Sequence, residues 1–415
     1  MSTLTRPPAY PVLSDGRTTL RRLRTEDAQV FAEIHQDPLN VKFSGSVADM
    51  DADQASEFIT GSIAAGWAAG TNLRFAILER MPKGEQVVGT LSLQEVYATT
   101  DGGSASVGIK MLPAGRGTGS AQRAIGLLCG YAFGNLGLGI LHWLCTDGNQ
   151  PSIALAQRCG FSLAAQIPGY GKANDQVSDA SIFSQTAAQF ADAGQAADAS
   201  QATVAGQTAG GTLAPSPALL VNTPVIPTLR NATVVLRELT MADAPQLVEN
   251  CRNAEAVRWT TVPLDYSMEH AEYFIKTLTQ QGWSNRDILT FAVAHPVTDT
   301  LLGTVDLQCK NPGTAAIGIN FGAHARGTGA AEAAIRLLLD FAFNQLNLSY
   351  VHWNALVPNW GSRKLAWKLG FKFEGMIRGD YNDRGTASDR WILSLAAGDE
   401  RTPMEPWTGP GPVSR

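Results

Sequence analysis

The sequence predicts two tandem copies of one α/β domain, of the α+β kind with a mixed sheet. Two observations carry that expectation. The segment RGTGSA at 116–121 returns as RGTGAA at 326–331, with its surroundings in step. Each copy also runs through several strand-like stretches before helix and strand begin to alternate.

Arg116 and Arg326 stand 210 residues apart. The same offset carries Gly108-Ile109 onto Gly318-Ile319, Ala132-Phe133 onto Ala342-Phe343 and His142-Trp143 onto His352-Trp353. It also carries Asn149 and Ser152 onto Asn359 and Ser362, and Gly160-Phe161 onto Gly370-Phe371. From 105 to 161 about two positions in five agree without a gap. Upstream the offset is 216, pairing LRRLRTEDA (20–28) with LRELTMADA (236–244). A period this long marks a duplicated domain rather than a solenoid unit. The expected layout is a domain over 1–186, an Ala/Gln/Gly-rich linker over 187–225, a second domain over 226–398 and a Pro/Gly-rich tail over 399–415. The linker has few large apolar residues to offset its ordering entropy, although its Ala-rich start suits a helical turn or two.

Within each copy, TLRRLRTEDA and VVLRELTMADA read as a strand followed by the capped start of a helix. A polar helical region follows. Strands come next at RFAIL (74–78) and VVGTLSLQEV (87–96), matched by LTFAVAH (289–295) and LLGTVDLQ (301–308). SASVGIKML (104–112) and TAAIGINFG (314–322) then run into the glycine segment. The long helix after it has apolar residues at Ala121, Ile125, Leu128, Ala132, Phe133 and Leu136. In the first copy Gly126, Gly130 and Gly134 dot that helix. An apolar strand with the His-Trp pair follows, then a short helix from Asn149 that stops at Gly160, and a final strand pair.

Composition narrows the function classes. The 415 residues are 44% hydrophobic and 17% charged, with a formal net charge of −5 and no Lys/Arg block. Non-specific nucleic-acid or membrane binding is not indicated. The five cysteines, Cys129, Cys145, Cys159, Cys251 and Cys309, show no CxxC spacing and read as reduced thiols rather than metal ligands. The N-terminal stretch has no apolar core of a signal peptide, and no segment is long and apolar enough for a bilayer. A cytoplasmic protein is the expectation.

Strand, then Arg-Gly-Thr-Gly, then helix suits a pyrophosphate. Glycines let backbone N–H groups face an anion, and the helix start adds partial positive charge. Arg116 and Arg326 offer charge-assisted contacts. No Lys-Ser/Thr follows, so the P-loop pattern fails. The third glycine and the ribose-binding acid of a dinucleotide fold are also missing.

The segments Arg116-Gly117-Thr118-Gly119-Ser120-Ala121 and Arg326-Gly327-Thr328-Gly329-Ala330-Ala331 resemble the Q/R-x-x-G-x-G/A signature of the GNAT superfamily of N-acyltransferases. The remaining marks resemble its RimJ/RimL-like branch. They are L-R plus D-A at the start, A-F in the long helix, N-x-x-S, G-F, E-G and a late G-x-x-x-D. The second copy carries nearly all of them: Glu332, Asn359, Ser362, Gly370-Phe371, Glu374-Gly375, Arg378, Gly385 and Asp389. The first departs at Gln122 and through SLAAQIPGYGKAND.

The resemblance implies two tandem GNAT folds, with both glycine segments cradling the pyrophosphate of acetyl-CoA. It places Asn359 and Ser362, and their matches Asn149 and Ser152, near the pantetheine and sulfur. Ser362 is then the candidate donor to the leaving thiolate, with a helix-capping Asn and a surface Ser as the alternative. An amine attacking a thioester must also lose a proton. Candidates for that base are Asp380 and Asp383, in the loop after Glu374-Gly375, and Asp306, on a strand where the first copy has Ser92. The oxyanion donor is a backbone N–H near the end of strand 104–112 or 314–322. Glu332 reads as structural, His142 and His352 as core, and Trp259 as either a wall of the acceptor pocket or core.

The implied acceptor is a primary amine of a small molecule or a protein N-terminus. A pseudo-dimer of the two domains is a further expectation. The rival reading is a regulatory module in which one or both domains bind acyl-CoA without turnover.

Overall fold

A computed structural model describes residues 10–194 and 226–411, apart from 45, 47, 83, 100–101 and 172–175, and apart from the side chains of Lys310, Asn382 and Asp383. The chain forms two compact units. One comprises Met1–Leu213 with Met376–Arg390, the other Ala214–Gly375 with Trp391–Arg415. Most of the expected linker lies outside the described residues.

In the first copy, the short β1 (Leu13–Ser14) and β2 (Thr18–Arg22) lead into helices α1 (Ala28–Gln36), α2 (Pro38–Ser44), α3 (Ala52–Phe58) and α4 (Ala64–Ala69). Three long antiparallel strands follow, β3 (Leu73–Met81), β4 (Gly84–Thr99) and β5 (Gly102–Met111). After them the pattern alternates: α5 (Ser120–Gly130), β6 (Ile140–Thr146), α6 (Gln150–Arg158), β7 (Ser162–Ile167), β8 (Ala180–Thr186) and α7 (Ala187–Gly194). The spatial order is β1-β2-β3-β4-β5-β6-β8-β7, with β5 and β6 parallel inside an otherwise antiparallel sheet. This is the mixed sheet expected from the sequence. The helical start read at the head of the linker is α7.

The second copy repeats the plan. Its elements are β9 (Leu229–Arg230), β10 (Val235–Arg237), α8 (Ala244–Arg252), α9 (Ala254–Trp259), α10 (Met268–Tyr273), α11 (Thr279–Asn285), β11 (Ile288–Ala294), β12 (Leu301–Asn311) and β13 (Thr314–Phe321). Then come α12 (Ala330–Asn344), β14 (Tyr350–Leu356), α13 (Trp360–Lys368), β15 (Lys372–Asp383) and β16 (Thr386–Ala396). β13 and β14 are again the parallel pair.

Matched residues hold matched joints. Arg21 on β2 grips Asp27 with two hydrogen bonds of 2.7 and 2.9 Å, and Asp27 also accepts from Arg24 N–H at the start of α1. Arg237 grips Asp243 in the same way at 2.8 and 2.9 Å. The repeated L-R and D-A marks are therefore one bidentate joint that ties strand to helix. Buried Trp67 donates its indole N–H to Arg74 O (3.0 Å) and meets Phe75 edge-on; Trp283 does the same with Thr290 O (2.9 Å) and Phe291.

The copies differ along the long helix. α12 runs unbroken for 15 residues, whereas α5 ends after 11 and passes into a π turn at Tyr131–Asn135. A Cβ added at Gly126, Gly130 or Gly134 would meet nothing within 4 Å, so packing does not require these glycines. They weaken the helix without filling a tight contact. Residues 399–411, which read as a tail, lie against α13: Trp407 packs on Trp360 and Trp367, and Trp367 donates to Glu405 O.

Gly126→Ala should stabilise the first unit by about 0.5–1 kcal/mol, since its backbone is already helical and the space is open. Chemical denaturation measures this; a loss of stability would show that the glycine has a packing role.

Candidate functional site

The parallel pair in each copy stays joined for only a few residues. β5 pairs β6 over Ser104–Ser106, opposite Ile140–His142. β13 pairs β14 over Thr314–Ile317, opposite Tyr350–Trp353. Both strands of each pair continue beyond the last contact. The sheet therefore splits, leaving Val107–Met111 and Gly318–Phe321 without those neighbours. Backbone polar groups along a split edge need another partner.

The glycine segment stands at the head of each split strand. Gly119 and Gly329, at the N-caps of α5 and α12, have φ of 80° and 84°, a left-handed conformation that glycine adopts without penalty. A Cβ at Gly117, Gly327 or Gly329 would meet nothing within 4 Å. Thr118 and Thr328 fold their hydroxyls back onto Gly115 O (2.9 Å) and Ala325 O (2.7 Å), which pins the turn. The result is an uncrowded glycine turn at a helix N-terminus, a setting suited to an anion.

The two arginines are anchored differently. Arg326 donates to Phe321 O (3.1 Å) and to Asn253 Oδ1 (2.8 Å), a neutral partner. Arg116 donates to Met111 O (2.7 Å) but forms an ion pair with Asp37. Charge is thus offset at the first loop and uncompensated by that contact at the second. The first loop has a further cation that its sequence motif does not include. Arg123 reaches back to Thr118 O and to the position a Gly119 Cβ would take, while paired with buried Glu79 (2.6 Å). Ala333 stands at its place in the second copy.

Asn149 and Asn359 cap α6 and α13. Their side-chain oxygens accept from Ser152 N (3.3 Å) and Ser362 N (3.0 Å). Ser362 Oγ also accepts from the buried Trp353 indole (2.9 Å), whereas Ser152 Oγ contacts Cys145 Sγ (3.3 Å).

The carboxylates separate by environment. Asp306 lies in the middle of β12, directly across from Gly318, the first residue of β13 past the split. A Cβ at Gly318 would fall on the Asp306 carboxylate, so a residue without one is needed there. Gln308 donates to Asp306 Oδ1 at 3.1 Å. Burial pushes the carboxyl up to about 6, against the lowering effect of hydrogen bonds from Gln308 and the Gly318 backbone. Asp380, on β15, forms an ion pair with Arg390, and both belong to the segment 376–390 that groups with the first unit. The Asp383 side chain lies outside the described residues. Glu332 pairs with Arg336 along α12 (3.0 Å). His142 and His352 are buried on their strands. Trp259 ends α9, with its indole on Glu255 (2.8 Å) and Arg258 stacked over its ring.

Of the residues singled out from the sequence, each Asn lies with its Ser at a helix cap and Asp306 lies across from Gly318. Asp37, Asn253 and Arg123, far in the chain from their partners, and Trp353 as a partner of Ser362 carry no local sequence signal.

Comparison with known proteins shows the family. A family described as the acetyltransferase (GNAT) domain matches residues 17–162 and again 233–372, more than half of the chain. The uncharacterized N-acetyltransferase p20 of Bacillus licheniformis is 27% identical over 173 residues, covering 40% of this chain and 95% of that protein. The uncharacterized N-acetyltransferase YoaA of Bacillus subtilis is 25% identical over 173 residues, covering 41% and 97%. Among solved structures, spermidine N-acetyltransferase from Vibrio cholerae, in complex with CoA and spermine, is 18% identical with a TM-score of 0.38, covering 43% of this chain and 99% of that one. Mycobacterium smegmatis RimJ, in complex with CoA-disulfide, is 21% identical with a TM-score of 0.38, covering 45% and 95%. Among the described residues no helix is long and apolar enough to cross a membrane, and no group of His, Cys, Asp or Glu is arranged to hold a metal.

The carboxyl carbon of Asp306, followed by 13C NMR, should titrate with a midpoint of about 6. Gln308→Ala should move the midpoint up, because a hydrogen bond to the ionised form is lost. A midpoint at the ordinary 3.8 would contradict the buried placement.

Proposed function

Because the chain belongs to the GNAT acetyltransferase family, we propose that it transfers an acetyl group from acetyl-CoA to a primary amine, of a small molecule or of a protein N-terminus, and that the second unit does the chemistry. The observation that carries this is Asp306: a carboxyl with its pKa raised to about 6, placed across from the residue where β13 leaves β14. A base with a pKa near the operating pH combines the right protonation state with useful proton affinity.

The residues fit acetyl-CoA. The uncrowded glycine turn and the α12 N-terminus suit its pyrophosphate, with Arg326 beside them. When bound, acetyl-CoA supplies a thioester carbonyl open to attack by an amine. Asp306 takes the proton that the attacking amine must lose, directly or through a water. A backbone N–H of β13 past the split, other than that of Gly318, which serves Asp306, is the donor for the carbonyl oxygen as it gains charge. The Ser362 hydroxyl accepts the Trp353 N–H, which leaves its own hydrogen to donate to the departing sulfur. Asn359 caps α13 through its oxygen and offers its amide N–H groups to the pantetheine arm. Trp259, at the end of α9, is the candidate wall on the acceptor side.

The first unit has the same scaffold without the base. Ser92 stands where Asp306 would be, and Asp37 offsets Arg116. The missing base favours binding without turnover there, a regulatory role, while the Asp37 pair leaves the first loop the weaker anion site of the two. The five free cysteines support a reducing compartment, and we assign the protein to the cytoplasm.

Purified full-length protein, acetyl-CoA and a panel of primary amines test the division of labour. Gly329→Glu should abolish turnover and one CoA site, while Gly119→Glu removes a CoA site but leaves turnover. Asp306→Asn should lower kcat by about 100-fold or more with CoA affinity unchanged. Equal losses in the two glycine variants, or full turnover in Asp306→Asn, would overturn the assignment.

A further inference from the structure

The face of the first unit's sheet that matches the Asp306 face carries the opposite charge. Register places Arg74 across from Ser92, and Ser92 across from Gly108. Lys110 lies two residues further along β5, across from Thr90, and therefore projects from the same face. α1 packs against β4 and β5 and brings His35 to these two cations.

None of the three meets a carboxylate among the described residues. The Arg74 guanidinium makes no hydrogen bond or ion pair there, and its only perturbation is burial, which lowers it to about 10. Lys110 donates to the buried Ser46 hydroxyl at 2.6 Å; burial and the Arg74 charge lower it to about 8. His35 is only 6% exposed, and neither ring nitrogen has a hydrogen-bond partner. Burial, then the charges of Lys110 and Arg74, hold it neutral, down to about 3. Its ring lies against Phe31 and Phe58, so it is held in place by packing rather than by polar contacts.

Two partly buried cations beside a buried, unpaired imidazole form a face whose charge is not offset by any carboxylate among the described residues. The second copy has none of them. Thr290, Asn320 and Cys251 occupy the matching positions, and the carboxylate of Asp306 stands where the first copy has Ser92. The missing counter-charge is thus particular to the first unit.

We propose that this face of the first unit is a binding site for a small oxyanion, a carboxylate or a phosphate group, held by Arg74 and Lys110 with the unpaired His35 ring N–H as a third donor. The two units then select ligands of opposite charge on one scaffold. The assignment concerns binding, and it stands whether or not either unit transfers an acyl group.

The full-length protein is titrated at fixed ionic strength with acetate in one arm and inorganic phosphate in the other. Binding is read by calorimetry and by the rise in melting temperature. Arg74→Gln and Lys110→Gln should each weaken the bound probe by about tenfold or more. Without probe, the melting temperature of both variants should hold or rise, since a like-charge repulsion has been removed. Arg74→Lys should retain binding. The arm that shows the effect identifies carboxylate or phosphate. Equal affinity in wild type and both Gln variants, for both probes, overturns the site. So does a lowered melting temperature in both variants with no change in affinity, because the two side chains would then be structural.

Discussion

One constraint organises both copies: a parallel strand pair that stops pairing partway along. Where β13 leaves β14, backbone donors and acceptors lose the partner that a continuous sheet would provide. A separation maintained by the fold leaves those groups for something else to satisfy. The surrounding features follow from this edge. The glycine turn stands at its head, the Asn-capped helix follows the departing strand, and Asp306 lies across from its first residue. An arginine anchored to the last carbonyl of the split strand fixes the turn to it, at Arg326 as at Arg116.

The duplication keeps the frame and changes the charges. The Arg-Asp joint at the first helix, the indole that caps a strand carbonyl, and the Asn-Ser pair recur almost atom for atom. These contacts serve folding and remain in both copies. What differs lies on the open face and at the loop: Asp37 for Asn253, Ser92 for Asp306, Arg74 for Thr290, Lys110 for Asn320. Such exchanges alter which charge is welcome without disturbing the sheet. Helix quality diverges too, since α5 carries glycines that packing does not require and ends in a π turn, while α12 runs through.

Local geometry was the legible part of the sequence. A turn that needs left-handed residues shows as glycine, a capped helix shows as Asn with Ser three residues on, and a duplication shows as a fixed offset. Asp306 was visible as a carboxylate on a strand, but its burial depends on side chains from neighbouring elements. The Arg116–Asp37 pair joins residues 79 apart, and nothing in either local stretch announces the partner. The cluster of Arg74, Lys110 and His35 was hidden for the same reason. Each residue reads alone as an ordinary polar position, and only register across three strands and one helix brings them to one face. Asp380 attracted interest by its place in a family pattern, yet it is engaged by Arg390.

In the proposed reaction, acetyl transfer runs through the Asp306 carboxylate of the second unit. The most direct measurement is the pH dependence of kcat/KM for a primary amine whose own ionisation lies well above neutrality. A break in the acidic limb is expected at about 6, the ionisation of Asp306, and it should disappear in Asp306→Asn. The same break at full rate in Asp306→Asn would contradict it.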